Sequence, residues 1–289
     1  MPALEGGPMG TARAFRCRDC PCHAAPAHER RSLLSSRLDQ ILDFRAAGQP
    51  VSDAHSFLER FGAFTAVAHE QRVSYAVVRL AIQNSVNRRQ AELGAWLHDL
   101  SAVIPNDERT EACRQLNVEL LPVETQHPVL SHAKLSRALA ELILNVRDRA
   151  VLDAVQFHTT LRAGAAALEK VVFLADKMEC DDSARAKHFG GAIQAGLAQS
   201  LDAGCLAYLQ YVVDNAERLG WPVHPDLSAA HAELAPVVAA APPPPREAPP
   251  VKETRQARPK REKPTRAPRY NITGPLVARP TGAPDRGSK

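Results

Sequence analysis

The sequence predicts an all-α domain, a helical bundle with N- and C-terminal extensions that read as disordered. Three observations point there. Hydrophobic residues make up 45% of the 289-residue chain while aromatic ones make up only 5%, and the Ala, Leu and Val that dominate suit helices better than sandwiches or barrels. Between Ser32 and about Leu234 the apolar residues recur in segment after segment at helical spacing. At both ends that period is lost. Residues 1–30 are rich in Gly, Pro, Ala and Arg, and the stretch from Pro236 to the end holds 13 of the 23 prolines, beginning its densest run at Pro242-Pro243-Pro244-Pro245. The organisation is therefore a disordered segment over 1–30, a folded domain over 31–235 and a Pro-rich basic tail over 236–289.

The first helix runs from Ser32 through Leu38, Ile41 and Phe44 and is stopped by Gly48-Gln49-Pro50. A short helix follows from Ser52 to about Phe61, then a longer one over about 64–83, with Val73, Ala76, Val77 and Leu80 on one line and His69 one turn before Val73. The 88–101 segment places Leu93, Trp96, Leu97 and Leu100 at i, i+3, i+4 and i+7. His98 and Asp99 stand side by side at the end of that stripe, ahead of Pro105. A polar helix over about 107–116 and a loop lead to His127-Pro128, where Pro128 suits the first turn of a new helix with Leu135, Ala138, Leu139 and Leu142 on its buried face. His132 shares that face, whereas His127 reads as a capping or exposed residue.

The next helix starts near Arg147. Val151, Ala154 and Val155 form its stripe, and His158 completes the series. Ala166 to about Glu179 reads as a helix through Leu168, Val171, Val172 and Phe173, with Asp176 one turn beyond. A long helix or a broken pair spans about Gly191 to Leu219, Gly220-Trp221-Pro222 ends it, and a last helix runs from Pro225 to about Leu234.

The formal charge of +4 hides an asymmetry: residues 246–289 carry twelve Lys/Arg against four Asp/Glu, which leaves the rest of the chain acidic. The sequence shows neither a secretory apolar core nor an apolar run of membrane length, so a cytoplasmic protein without membrane contact is expected. The six cysteines are too scattered for a disulfide scaffold. Cys17, Cys20 and Cys22 lack the spaced partners of a structural zinc site and read as part of a frayed terminus. Cys113, Cys180 and Cys205 read as small buried or half-buried residues.

Five positions put titratable groups on an apolar stripe or at its end: His69, His98-Asp99, His132, His158 and Asp176. One such imidazole is most simply a hydrogen-bonded core residue. Five together imply shared protons or bound cations, and neutral His with ionised Asp is a common ligand set for divalent metals.

This ordered set, His, then His-Asp, then Asp on separate helices, resembles the HD superfamily of metal-dependent phosphohydrolases. With its two further histidines it is most similar to the YqeK-like branch, associated with symmetrical hydrolysis of diadenosine tetraphosphate. The resemblance runs from about Phe61 to Tyr211. It includes Ala95-Trp96-Leu97-His98-Asp99, His158-Thr159-Thr160-Leu161 and Phe173-Leu174-Ala175-Asp176-Lys177-Met178-Glu179. It implies that His69, His98, Asp99 and Asp176 hold one metal, that Asp99 bridges to a second completed by His132 and His158, and that Asp99 and His98 are the catalytic pair. The divalent pair so implied is iron(II) by first choice and manganese by second, since imidazole with carboxylate favours these over magnesium or calcium.

The chain departs from the pattern at Ala102, where many HD enzymes carry Lys, at Leu161, where the branch often has Gly, and at Ala133 and Cys180-Asp181-Asp182. Lys134, Arg162 and Lys177 are the candidates for phosphate contact, each with a solvated surface charge as the alternative. The expected reaction is symmetrical cleavage of a dinucleoside tetraphosphate to nucleoside diphosphates. HD chemistry on another nucleotide or phosphoester is the near alternative. A non-catalytic metal- or nucleotide-binding module, tethered to RNA by the tail, is the alternative of another class. The basic stretch 254–270 suits nonspecific phosphate contacts with RNA or another polyanion, against a solubilising extension without a partner.

Overall fold

The computed structural model describes residues 37–179 and 183–241, without the side chains of 183–188. The N-terminal segment with Cys17, Cys20 and Cys22, the Cys180-Asp181-Asp182 departure and the basic stretch 254–270 lie outside the described residues. Every regular element among the described residues is helical. After α1 (37–42) come α2 (Pro50–Arg60), α3 (Phe64–Gln83), α4 (Arg88–Leu97) and a 3-10 turn at Leu100–Val103. Next are α5 (Arg109–Gln115), α6 (Pro122–Gln126), a second 3-10 turn at Pro128–Ser131, α7 (His132–Leu142), α8 (Arg149–Phe157) and α9 (Ala167–Met178). The chain closes with α10 (Ser183–Leu197), α11 (Leu201–Leu219) and α12 (Pro225–Ala240).

The hub is α9, which packs against α3, α4, α8, α10 and α11. Its sequence explains this position, because Val171 to Ala175 are apolar without interruption and all buried, and a helix apolar all round belongs in a core. Close approach of α4 depends on Gly94: a Cβ there would meet Val172 Cγ2 at 3.0 Å. Polar residues fix the starts. The Asn87 side chain accepts the Arg89 and Gln90 N–H groups at 3.0 and 3.3 Å, and Asp148 accepts those of Ala150 and Val151 at 3.0 and 3.4 Å. Gln90 Nε2 also donates to Asp148 Oδ2 at 2.7 Å, tying the starts of α4 and α8 together.

Several boundaries differ from expectation. The expected 88–101 helix breaks after Leu97, leaving His98 and Asp99 between α4 and the 3-10 turn. The expected loop before His127 contains α6, which starts with Pro122 while the Glu124 carboxylate accepts the Leu121 N–H at 2.7 Å. Pro128 opens a 3-10 turn that feeds α7, and Leu142 is 58% exposed. The span read as a long helix or a broken pair is the pair α10 and α11, separated at 198–200 and starting at Ser183 rather than near Gly191. The last helix continues through Pro236, where the sequence places the start of the tail, to Ala240. Burial of Leu227, Ala230 and Leu234 and packing on α11 hold it past the bond that the proline forfeits.

Candidate metal centre

All six expected ligands meet at one end of the bundle. His69 comes from α3, His98 and Asp99 from the break after α4, His132 from the first position of α7, His158 from the end of α8 and Asp176 from the last turn of α9. His69 Nε2 lies 3.2 Å from Asp176 Oδ1 and 3.3 Å from His98 Nε2. His132 Nε2 and His158 Nε2 are 3.0 Å apart. Between these groups stands Asp99. Its Oδ2 is 3.9 Å from His98 Nε2, while its Oδ1 is 3.5 Å from His132 Nε2 and 3.7 Å from His158 Nε2. His127, five residues before His132, is exposed as expected.

The local backbone sets the tautomers. In His98, His132 and His158 the Nδ1–H donates to the carbonyl three residues earlier, of Ala95, Val129 and Val155, at 2.7, 2.6 and 2.7 Å. Each Nε2 is thereby left to present a lone pair to the cluster, the form in which imidazole ligates metal. Two such lone pairs 3.0 Å apart, with carboxylate oxygens beside them, repel unless a proton or cation lies between. Thr159 Oγ1, at 3.0 and 3.1 Å from the two nitrogens, has one hydrogen and so serves one of them.

Electrostatics agree. Burial works to lower His98, but Glu70, then Asp99 and Asp176, overcome it and raise the imidazole to about 10. The carboxylates thus demand positive charge at that point, which a proton or a cation supplies. Burial pushes His132 down and His158 well down, keeping both in the neutral form. Burial favours the neutral acid at Asp99, yet the charge at His98 leads the groups that hold its carboxyl below the usual range. At Asp176 Lys177 does the same, helped by His69. Three groups have donor atoms close enough to hold a metal: His69 with His98 and Asp99, His98 with His158 and Asp176, and Asp99 with His132 and His158. The first and third share Asp99. The donor set fits a divalent pair.

Residues outside the expected set hold the cluster in shape. Glu70 is wholly buried; its Oε2 is 2.7 Å from His98 Nδ1 and its Oε1 accepts the Asp99 N–H at 3.1 Å. These contacts explain the helix break, since Ala95 O takes the His98 ring N–H and Glu70 takes the Asp99 N–H. Two buried serines join the turn after Asp99 to α7. The Ser101 N–H donates to Ser136 Oγ at 3.0 Å, and Ser101 Oγ donates to the His132 carbonyl at 2.9 Å. Thr159 was signalled by its place beside His158. Glu70, next to His69 but off the apolar line, gave no periodic signal.

The three residues expected to contact phosphate each pair with a carboxylate of the protein, Lys177 with one belonging to the cluster itself. Lys134 Nζ pairs with Glu124 at 2.7 Å, Arg162 with Glu169 at 2.7 Å and Asp153 at 3.1 Å, and Lys177 with Asp176 at 2.6 Å. Cys113 and Cys205 are buried thiols whose pKa burial raises, to about 11 for Cys113 and further still for Cys205, so neither is a reactive thiolate.

A helical bundle that gathers imidazoles and carboxylates at the ends of separate helices defines the class of HD hydrolases, whose domains bind divalent metals. The HD domain model matches residues 67–181, a stretch holding all six residues, and the chain belongs to the HD-domain family. Over 153 residues it is 31% identical to an uncharacterized protein in the pepC 5′ region of Lactococcus lactis subsp. cremoris, covering 53% of this chain and 76% of that one. Over 113 residues it is 31% identical to the symmetrical bis(5′-nucleosyl)-tetraphosphatase of Bacillus subtilis, covering 38% of this chain and 59% of that one. The fold is similar to the crystal structure of a predicted HD superfamily hydrolase involved in NAD metabolism from Clostridium acetobutylicum. That match has a TM-score of 0.57 at 22% identity and covers 63% of this chain and 95% of that one. RNA contact through 254–270 finds no support among these relatives. No described helix is long and apolar enough to cross a membrane.

Proposed function

We propose that this HD phosphohydrolase cleaves a nucleotide phosphoanhydride, taking a dinucleoside tetraphosphate symmetrically to two nucleoside diphosphates. The observation that carries the reading is the placement of Asp99, whose two oxygens face two different sets of imidazoles. His69, His98, Asp99 and Asp176 would hold one cation, and Asp99, His132 and His158 the other. Iron(II) is the first choice and manganese the second. A divalent pair, when bound, polarises phosphoryl oxygens and acidifies water, as anhydride hydrolysis requires. The chain's own contribution is orientation. Asp99 is the most open of the six at 31% side-chain exposure, while His98 is fully enclosed, so substrate approaches over Asp99. The name of the Bacillus subtilis relative supports the substrate.

Purified protein loaded with iron(II) or manganese should convert diadenosine tetraphosphate to ADP as the only nucleotide product. ATP with AMP among the products, or no turnover in protein shown to hold metal, overturns the substrate. Asp99→Ala should abolish turnover and lower metal content; survival of both means that the centre lies elsewhere.

A further inference from the structure

Polyphosphate is commonly held in proteins by guanidinium or ammonium groups, and the stretch His98 to Val103 contains no Lys or Arg. Lys134, Arg162 and Lys177 each already face a carboxylate of the protein. Arg109 does not. It is the first residue of α5, which packs against the 3-10 turn at Pro128–Ser131 and against α7, the elements that lead into His132. Its Nε is buried and has no hydrogen-bond partner, and its guanidinium forms no ion pair among the described residues. Its charge is nonetheless felt at the cluster, by Asp99 and by His132.

Arg109 is half-buried as a residue, but its Nε is shut off from water with nothing to donate to, and a buried donor left unmade is costly. Asp99 is no lasting counter-charge, because its oxygens are turned to the imidazoles, and once cations occupy the cluster Arg109 faces positive charge. An anion lying between the two relieves both. Phosphate suits the place, since the planar guanidinium donates to two of its oxygens at once. We propose that Arg109 is the phosphate-binding cation of this centre, gripping the polyphosphate of a nucleotide as it lies over Asp99. The inference rests on the phosphohydrolase reading above and adds the residue that recognises the substrate's charge.

The test uses full-length, metal-loaded protein with ADP and inorganic phosphate as probes, their binding measured by calorimetry beside turnover of diadenosine tetraphosphate. Arg109→Met should keep its metal and melt close to the parent, since the buried Nε that it removes has no hydrogen bond to lose. It should bind ADP at least ~10-fold more weakly and raise KM more than it lowers kcat, the scale expected for a lost charged hydrogen bond. Arg109→Lys should recover part of the affinity. Unchanged ADP and phosphate binding in Arg109→Met overturns the inference, and so does a parent protein that binds neither probe. If ADP binding weakens as expected while diadenosine tetraphosphate is not hydrolysed, the substrate reading fails and Arg109 keeps its role. If ADP binding is unchanged while that substrate is cleaved, Arg109 alone loses it.

Discussion

Glu70 shows how much of the centre depends on a residue that does not face it. Its carboxylate is fully buried, with burial raising its pKa and His98 opposing, and it reaches both halves of the His-Asp pair, 2.7 Å from the His98 ring and 3.1 Å from the Asp99 amide. The His98 Nδ1–H goes to the Ala95 carbonyl, and the negative charge of a carboxylate beside that nitrogen strengthens the imidazole as a donor at its other one. Glu70→Gln retains the size but not the charge. It should weaken manganese binding by about 10- to 100-fold, measured by competition with a chelator, while far-UV circular dichroism stays as in the parent. Equal manganese affinity in the two proteins would reduce Glu70 to a packing role. The sequence could not single it out, since one position from His69 means a turn of about 100° off the apolar line. Only the convergence of α3 on the end of α4 buries it.

At the scale of elements, the helices were legible because their apolar faces repeat at 3.6 residues, and the ligands were legible because they sit on or end those faces. Helix ends were less so. The break at His98 is made by a contact from α3, and the run past Pro236 by packing on α11; neither partner is local in sequence. The turn after α8 shows a local rule overridden in the same way. Leu161 adopts φ +58°, in the left-handed region, yet it is completely buried and its N–H donates to the Phe157 carbonyl at 2.8 Å. The backbone cost of that conformation is about 1–2 kcal/mol for a non-glycine residue, and loss of a buried Leu side chain costs about 2–5 kcal/mol. Packing wins. Leu161→Gly should therefore lower unfolding free energy by roughly 1–3 kcal/mol in urea titrations, since relief of strain offsets only part of the lost burial. Leu161→Ala keeps the strain and loses the packing, so it should be the less stable of the two. The opposite order would mean that φ at this position carries no strain.

For the whole molecule, the question is whether the bundle needs its centre in order to fold. Apolar burial runs the length of α9 and through the facing sides of α3, α4, α8 and α11, independently of the cluster at the end. The cluster itself works against folding unless its demand for positive charge is met, because several donors and carboxylates lie together in a largely enclosed space. The chain should therefore fold without metal but be stabilised by it. At a free metal concentration a hundred times the dissociation constant, binding to the native state alone adds about 2.7 kcal/mol. For a domain of this size each kcal/mol moves the midpoint by about 2–4 °C. Protein stripped with a chelator should keep its helical far-UV signal and melt about 5–10 °C lower than the manganese-loaded form, with the midpoint climbing as metal is added back. Loss of the helical signal on stripping would make the centre a condition of folding, as in small zinc domains. A midpoint indifferent to metal would show that these six side chains do not bind it in the folded state. Asp99→Ala supplies the control: it removes the carboxylate shared by two of the three ligand groups, so its midpoint should respond to manganese far less than the parent's.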